Sequence, residues 1–126
     1  MPTACAGAEG TIFAAVAGSR THLRWLHSVS FFYFEAHNEM APGSEERTLD
    51  VLIAHNMTVL AAPDDRVSDH IYFACGRRHV SEVQCTSTCM AWRAASRALQ
   101  GMCTPVQNAA TAGATYSRAW RRRVGR

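Results

Sequence analysis

Four residues of metal-binding type fall close together in the second half of the chain. Three positions separate Cys75 from His79, five separate His79 from Cys85, and three separate Cys85 from Cys89. Thiolate and imidazole suit tetrahedral zinc, so the chemistry this set predicts is a closed structural zinc site. The spacing departs from the tight Cys knuckle of such sites, and Cys85 and Cys89 straddle an expected helix start, so burial of the cysteines as small apolar side chains competes with ligation. No cofactor is the first expectation, with zinc the alternative. Cys89 near a helix N-terminus, with Arg93 one turn on, is also where a thiol would be activated.

A second set, His55, Asp64, Asp65, Asp69 and His70, contains the carboxylates and imidazoles that general base chemistry needs. No nucleophile elbow, zinc-protease helix, phosphate loop or dinucleotide fingerprint frames it, so the sequence leans away from catalysis. Asn56-Met57-Thr58 matches the glycosylation acceptor pattern. Helical periodicity sets Asn56 within an apolar stripe, out of a transferase's reach, which makes the match a coincidence of sequence.

The third set lies toward the C-terminus, where Arg118, Arg121, Arg122, Arg123 and Arg126 interleave with Tyr116 and Trp120. Guanidinium groups suit phosphates and aromatic rings suit unstacked bases, and Arg93 and Arg97, one turn apart upstream, would widen the patch. The charge distribution points the same way. Residues 1–82 hold six Arg and ten acids, net −4, whereas residues 83–126 hold seven Arg and no acid, net +7. Such polarity favours an anionic partner, RNA or another phosphate-rich surface.

These residues must be positioned by a small fold. The chain has 126 residues, 48% hydrophobic and 18% charged, which is enough for one core and excludes wholesale disorder as the first expectation. All 13 basic residues are Arg, and Ala occurs 21 times, a composition that a GC-rich reading frame without selected function would share. That reading predicts poor cooperativity on heating. Five Cys is an odd number for a closed disulfide framework, so a reducing intracellular compartment is expected ahead of secretion. No apolar run is long enough to span a bilayer.

The aromatic run 28–34 predicts a first strand, buried on both faces at its apolar end. Ser44 predicts a helix cap, with Glu45 and Glu46 in the first turn and a helix extending to Ala61. Along it Leu49, Leu52, Ile53, Asn56, Val59 and Leu60 form one stripe, and Pro63 ends the element. A second strand covers 67–75 and a third, shorter one 79–84. Ser87 or Thr88 caps a helix to Gln100, and the last helix runs from Asn108 to about Arg123. The expected architecture is a small α+β domain of two or three strands packed with about three helices, a crossover joining the first two strands. Residues 1–18 read as a loose arm, 19–116 as the globular domain and 117–126 as a basic tail. The function expected is a noncatalytic module that binds an anionic partner through its C-terminal arginines. The alternative is a structural zinc or thiol site at Cys75, His79, Cys85 and Cys89.

Overall fold

The computed structural model describes residues 18–36, 43–63, 70–95 and 103–124. They form four helices and one four-stranded antiparallel sheet, an α+β domain as expected, with one strand more than the sequence suggests. In chain order these are α1 (Arg20–Ser28), β1 (Phe31–Ala36), α2 (Ser44–Ala54), β2 (Met57–Ala61), β3 (His70–Gly76), α3 (Glu82–Ala95), β4 (Thr104–Pro105) and α4 (Ala109–Val124). The sheet order is β1-β3-β2-β4. Cys75 of β3 stands opposite Phe31 of β1 and Thr58 of β2, and Ala61 of β2 stands opposite Thr104. Strands β1 and β2 thus run parallel, as a crossover through α2 requires, but antiparallel β3 lies between them.

Alternation sorts the strand residues between two cores. On one face Phe34, Ala36, Met57, Val59, Ala61, Tyr72 and Ala74 pack with Leu26, Leu49, Leu52, Ala112 and Tyr116 from α1, α2 and α4. On the other, Leu60, Ala62, Ile71, Phe73 and Cys75 pack with Cys85 and Cys89 of α3 and with Cys103. Coverage on both sides explains why every residue of β2 is buried and why β3 reads as a continuous apolar run.

The expected helix 44–61 is two elements. It ends at Ala54, and Asn56 takes a left-handed conformation, φ 64°, before the chain turns into β2. Asn tolerates that conformation better than other non-glycine residues, because its short side chain bonds locally. Thr58 and Val59 then favour a pleat buried on both sides. Adjacent apolar residues such as Val59 and Leu60 satisfy helical and strand periods alike, so the stripe did not discriminate. The cap of α2 is Gly43 rather than Ser44, at φ 82°, where a side chain would be strained.

Past β3 the chain forms a turn, and α3 starts at Glu82, where Ser81 Oγ accepts from the Gln84 amide at 3.1 Å. The strand expected at 79–84 is therefore absent. The sheet's further strand is the short β4 before α4. Helix α4 matches its expected span, capped by Asn108 Oδ1, which accepts from the Thr111 amide at 2.9 Å. It runs unbroken through residue 117, where a separate tail was expected to begin. The expected N-terminal arm lies outside the described residues up to residue 17, and no helix among the described residues is long and apolar enough to cross a membrane.

Candidate functional site

Strand β3 presents His70 and Tyr72 on the face that α2 covers, and the first turn of α2 brings Glu45 above them. Glu45 is only 8% exposed. Its carboxylate accepts from His70 Nδ1 at 2.8 and 2.9 Å to its two oxygens, and from the Tyr72 hydroxyl. Tyr116 of α4 stacks on the His70 ring with centroids 4.0 Å apart and donates its hydroxyl to the Ile71 carbonyl. Burial alone would push the Glu45 carboxyl up, but the bonds from His70 and Tyr72 and the His70 charge outweigh it and hold the group below its ordinary value. Burial, then the bond and charge of Glu45, push the Tyr72 hydroxyl up, so it stays a protonated donor. Burial likewise raises Tyr116.

The carboxylate holds the imidazole through Nδ1, with the ring at the partly exposed edge of the cluster. The arrangement also knits three elements, since α2 and α4 each make polar contacts to β3. Sequence reading singled out His70 and Tyr116 but missed Glu45 and Tyr72. Glu45 stood 25 residues from His70, and its place in the first turn of a helix already accounted for an acid there. The one available signal was the alternation that puts His70 and Tyr72 on a common strand face. Of the other expected members, His55 lies at the end of α2, its ring 6.0 Å from that of His27, and Asp64, Asp65 and Asp69 lie outside the described residues.

The cysteines among the described residues are joined as Cys75–Cys85 and Cys89–Cys103, with Cα separations of 6.0 and 6.3 Å, and Cys5 lies outside those residues. His79, on the exposed turn after β3, donates from Nε2 to the His27 carbonyl at 2.8 Å. A zinc site at Cys75, His79, Cys85 and Cys89 would need both disulfides reduced and His79 released from that bond. Among the described residues no group of three or more His, Cys, Asp or Glu side chains is placed to hold a metal. The odd number of cysteines suggested reduced thiols, yet both pairs bridge α3 to other parts of the fold. Asn56 is exposed at the α2–β2 turn, not buried in a helical stripe. The hydroxyl of its acceptor triplet is the inaccessible part: Thr58 is 4% exposed within β2, where it accepts from Arg77 Nε at 3.3 Å.

Two members of the expected anion-binding set turn inward. Arg93 is 3% exposed, and its guanidinium donates to the Pro63 carbonyl, so it anchors α3 to the end of β2 and does not line a surface patch. Tyr116 is 8% exposed, with its ring against His70 and Tyr72, which leaves no free face for a base. Arg97 and Arg126 lie outside the described residues, as do the side chains of Arg118, Trp120, Arg121, Arg122 and Arg123. The backbone of the latter five is helical within α4. At about 100° per residue, Arg118, Arg121 and Arg122 fall within one arc of about 100°, while Arg123 shares the register of Ala112 and Tyr116.

Comparison with known proteins finds no matching family model, no matching curated protein and no matching solved structure.

Proposed function

We propose that the chain is a noncatalytic interaction module whose last helix holds a phosphate-rich partner, RNA in the first instance, through Arg118, Arg121 and Arg122. The observation that carries this reading is an acid-free final third of the chain, net +7 after Glu82, ending in a helix whose backbone brings these three arginine positions within one arc of about 100°. Cations near a helix C-terminus are also favoured by the macrodipole, worth about 0.3–1 kcal/mol each, but that effect asks for one or two residues and not a final third of the chain without acids. With Arg93 and Tyr116 buried, the mode of binding is electrostatic and directed at phosphates, with little reading of base identity.

Fluorescence anisotropy of a labelled single-stranded RNA against salt concentration tests this. Three phosphate contacts contribute a slope of about −2 in log affinity against log salt. The triple variant R118A/R121A/R122A is expected to lose that slope and bind at least tenfold more weakly at low salt, with an unchanged melting curve. Equal affinity and equal slope in both proteins would refute the reading.

A further inference from the structure

Helix α3 is the one helix on this sheet face among the described residues, where it packs over β2 and β3, yet little of it is buried. Its buried residues are Cys85, Cys89 and Arg93. Trp92 adds a half-buried ring, stacked 4.9 Å from Tyr33 and 5.8 Å from Phe73, while Val83 and Met90 point outward, 79% and 46% exposed. Both buried cysteines are disulfide-bonded to the body beneath. Cys85 joins Cys75 in the middle sheet strand β3, and Cys89 joins Cys103 just ahead of β4. The opposite face is built differently. There α1, α2 and α4 dock through Leu26, Leu49, Leu52, Ala112 and Tyr116, reinforced by the Glu45–His70–Tyr72 cluster, and among the described residues no disulfide takes part.

We infer that α3 is a redox-released cover, docked by its two disulfides and freed when a dithiol reductant opens them, while the sheet and its other helix layer stay folded. Of the four sulfur-bearing residues, Cys103 is 7% exposed and the other three are fully buried, so the Cys89–Cys103 bond is the point of entry. A thiolate of the reductant attacks the Cys103 sulfur, the bond to Cys89 breaks, and the Cys89 thiolate leaves and takes up a proton. The reductant's second thiol then displaces Cys103 from the mixed disulfide, closing the reductant's own disulfide. The end of α3 nearest Ala95 lifts, and a second dithiol opens Cys75–Cys85 by the same exchange. Two dithiols are oxidised and four protein thiols form. Leu60, Ala62, Ile71 and Phe73 then lose their cover.

The test uses the whole chain, with and without dithiothreitol, read by amide hydrogen exchange and by limited trypsin digestion. Arg77 and Arg78 lie on an exposed turn and are cut in either state, whereas Arg93 is buried and is cut only when α3 leaves the sheet. Reduction is expected to bring on cleavage after Arg93 and to speed α3 amide exchange at least 100-fold, with β3 amides still protected. The double variant C89S/C103S, kept oxidised, is expected to show faster exchange confined to the end of α3 near Arg93. Protection of α3 in the reduced chain, or loss of β3 protection together with that of α3, overturns the inference. Should the double variant fail to fold, the reduced wild-type chain decides.

Discussion

Replacing Glu45 by Gln separates the charge of the buried carboxylate from its shape. The glutamine can still accept from the Tyr72 hydroxyl, but the bond becomes neutral, and its amide nitrogen brings a donor toward the His70 Nδ1 donor. Hydrogen bonds to charged groups contribute about 1.5–3 kcal/mol and neutral ones about 0.5–1.5, so the Tyr72 bond weakens by roughly 1 kcal/mol. The His70 side chain is 37% exposed, and solvent screening reduces its share of the loss, also to roughly 1 kcal/mol. The total of about 2 kcal/mol corresponds, in a domain of this length, to a melting temperature lower by about 7 °C.

The pH dependence has a definite sign. The folded carboxyl lies below the unfolded value of 4.5, so its contribution is present above pH 4.5 and is lost as the pH falls through the folded value. Melting curves of both proteins between pH 7 and pH 3, followed by circular dichroism, should show a gap of about 7 °C at neutrality that closes toward pH 3. An equal gap at both ends would mean that the substituted glutamine disturbs packing and not charge. No gap at neutrality would mean that the carboxylate does not hold α2 to β3.

Two smaller perturbations probe the backbone. A Cβ on Gly76 would stand 2.7 Å from the Val29 carbonyl oxygen, a backbone atom with little room to move, so G76A is expected to cost about 2 kcal/mol in urea denaturation. At Asn56, φ 64°, N56A should cost about 1 kcal/mol, whereas N56G stays within roughly half of that of the wild type. Equal stability of the two Asn56 variants would argue against a left-handed turn there. Loop entropy assigns about 2.7 kcal/mol to the Cys75–Cys85 bond and about 3 to Cys89–Cys103, more than the 0.5–1.5 kcal/mol of an aromatic pair such as Trp92 with Tyr33. That ordering is why reduction, more than loss of the stacked ring, should release α3.

Local signals located some elements well and missed the start of α3, which begins at Glu82 where a strand was expected. Asn108 marked the start of α4, and the aromatic runs marked β1 and β3, because capping and strand patterning act over a few residues. The same kind of signal misled at 44–61, where two adjacent apolar residues fitted both periods and one Asn decided between them. Among candidate residues, His70 was legible as an imidazole in need of a carboxylate. Its partner was not, since an acid near a helix start has an adequate local explanation, whatever stands opposite it. Arg93 and Tyr116 were assigned to a surface by residue type, and both proved to be anchors, because burial depends on what the neighbouring elements cover.

The amino-acid order by itself determined the α+β class, the segregation of charge into an acid-free final third and the arginine spacing of the last helix. All three follow from composition and short-range geometry, which need no distant partner. Tertiary structure alone decided which cysteines pair, that β3 inserts between β1 and β2, and that Glu45 closes on His70 and Tyr72. Each of these joins residues ten or more positions apart, and such contacts are fixed by how the two sheet faces are filled.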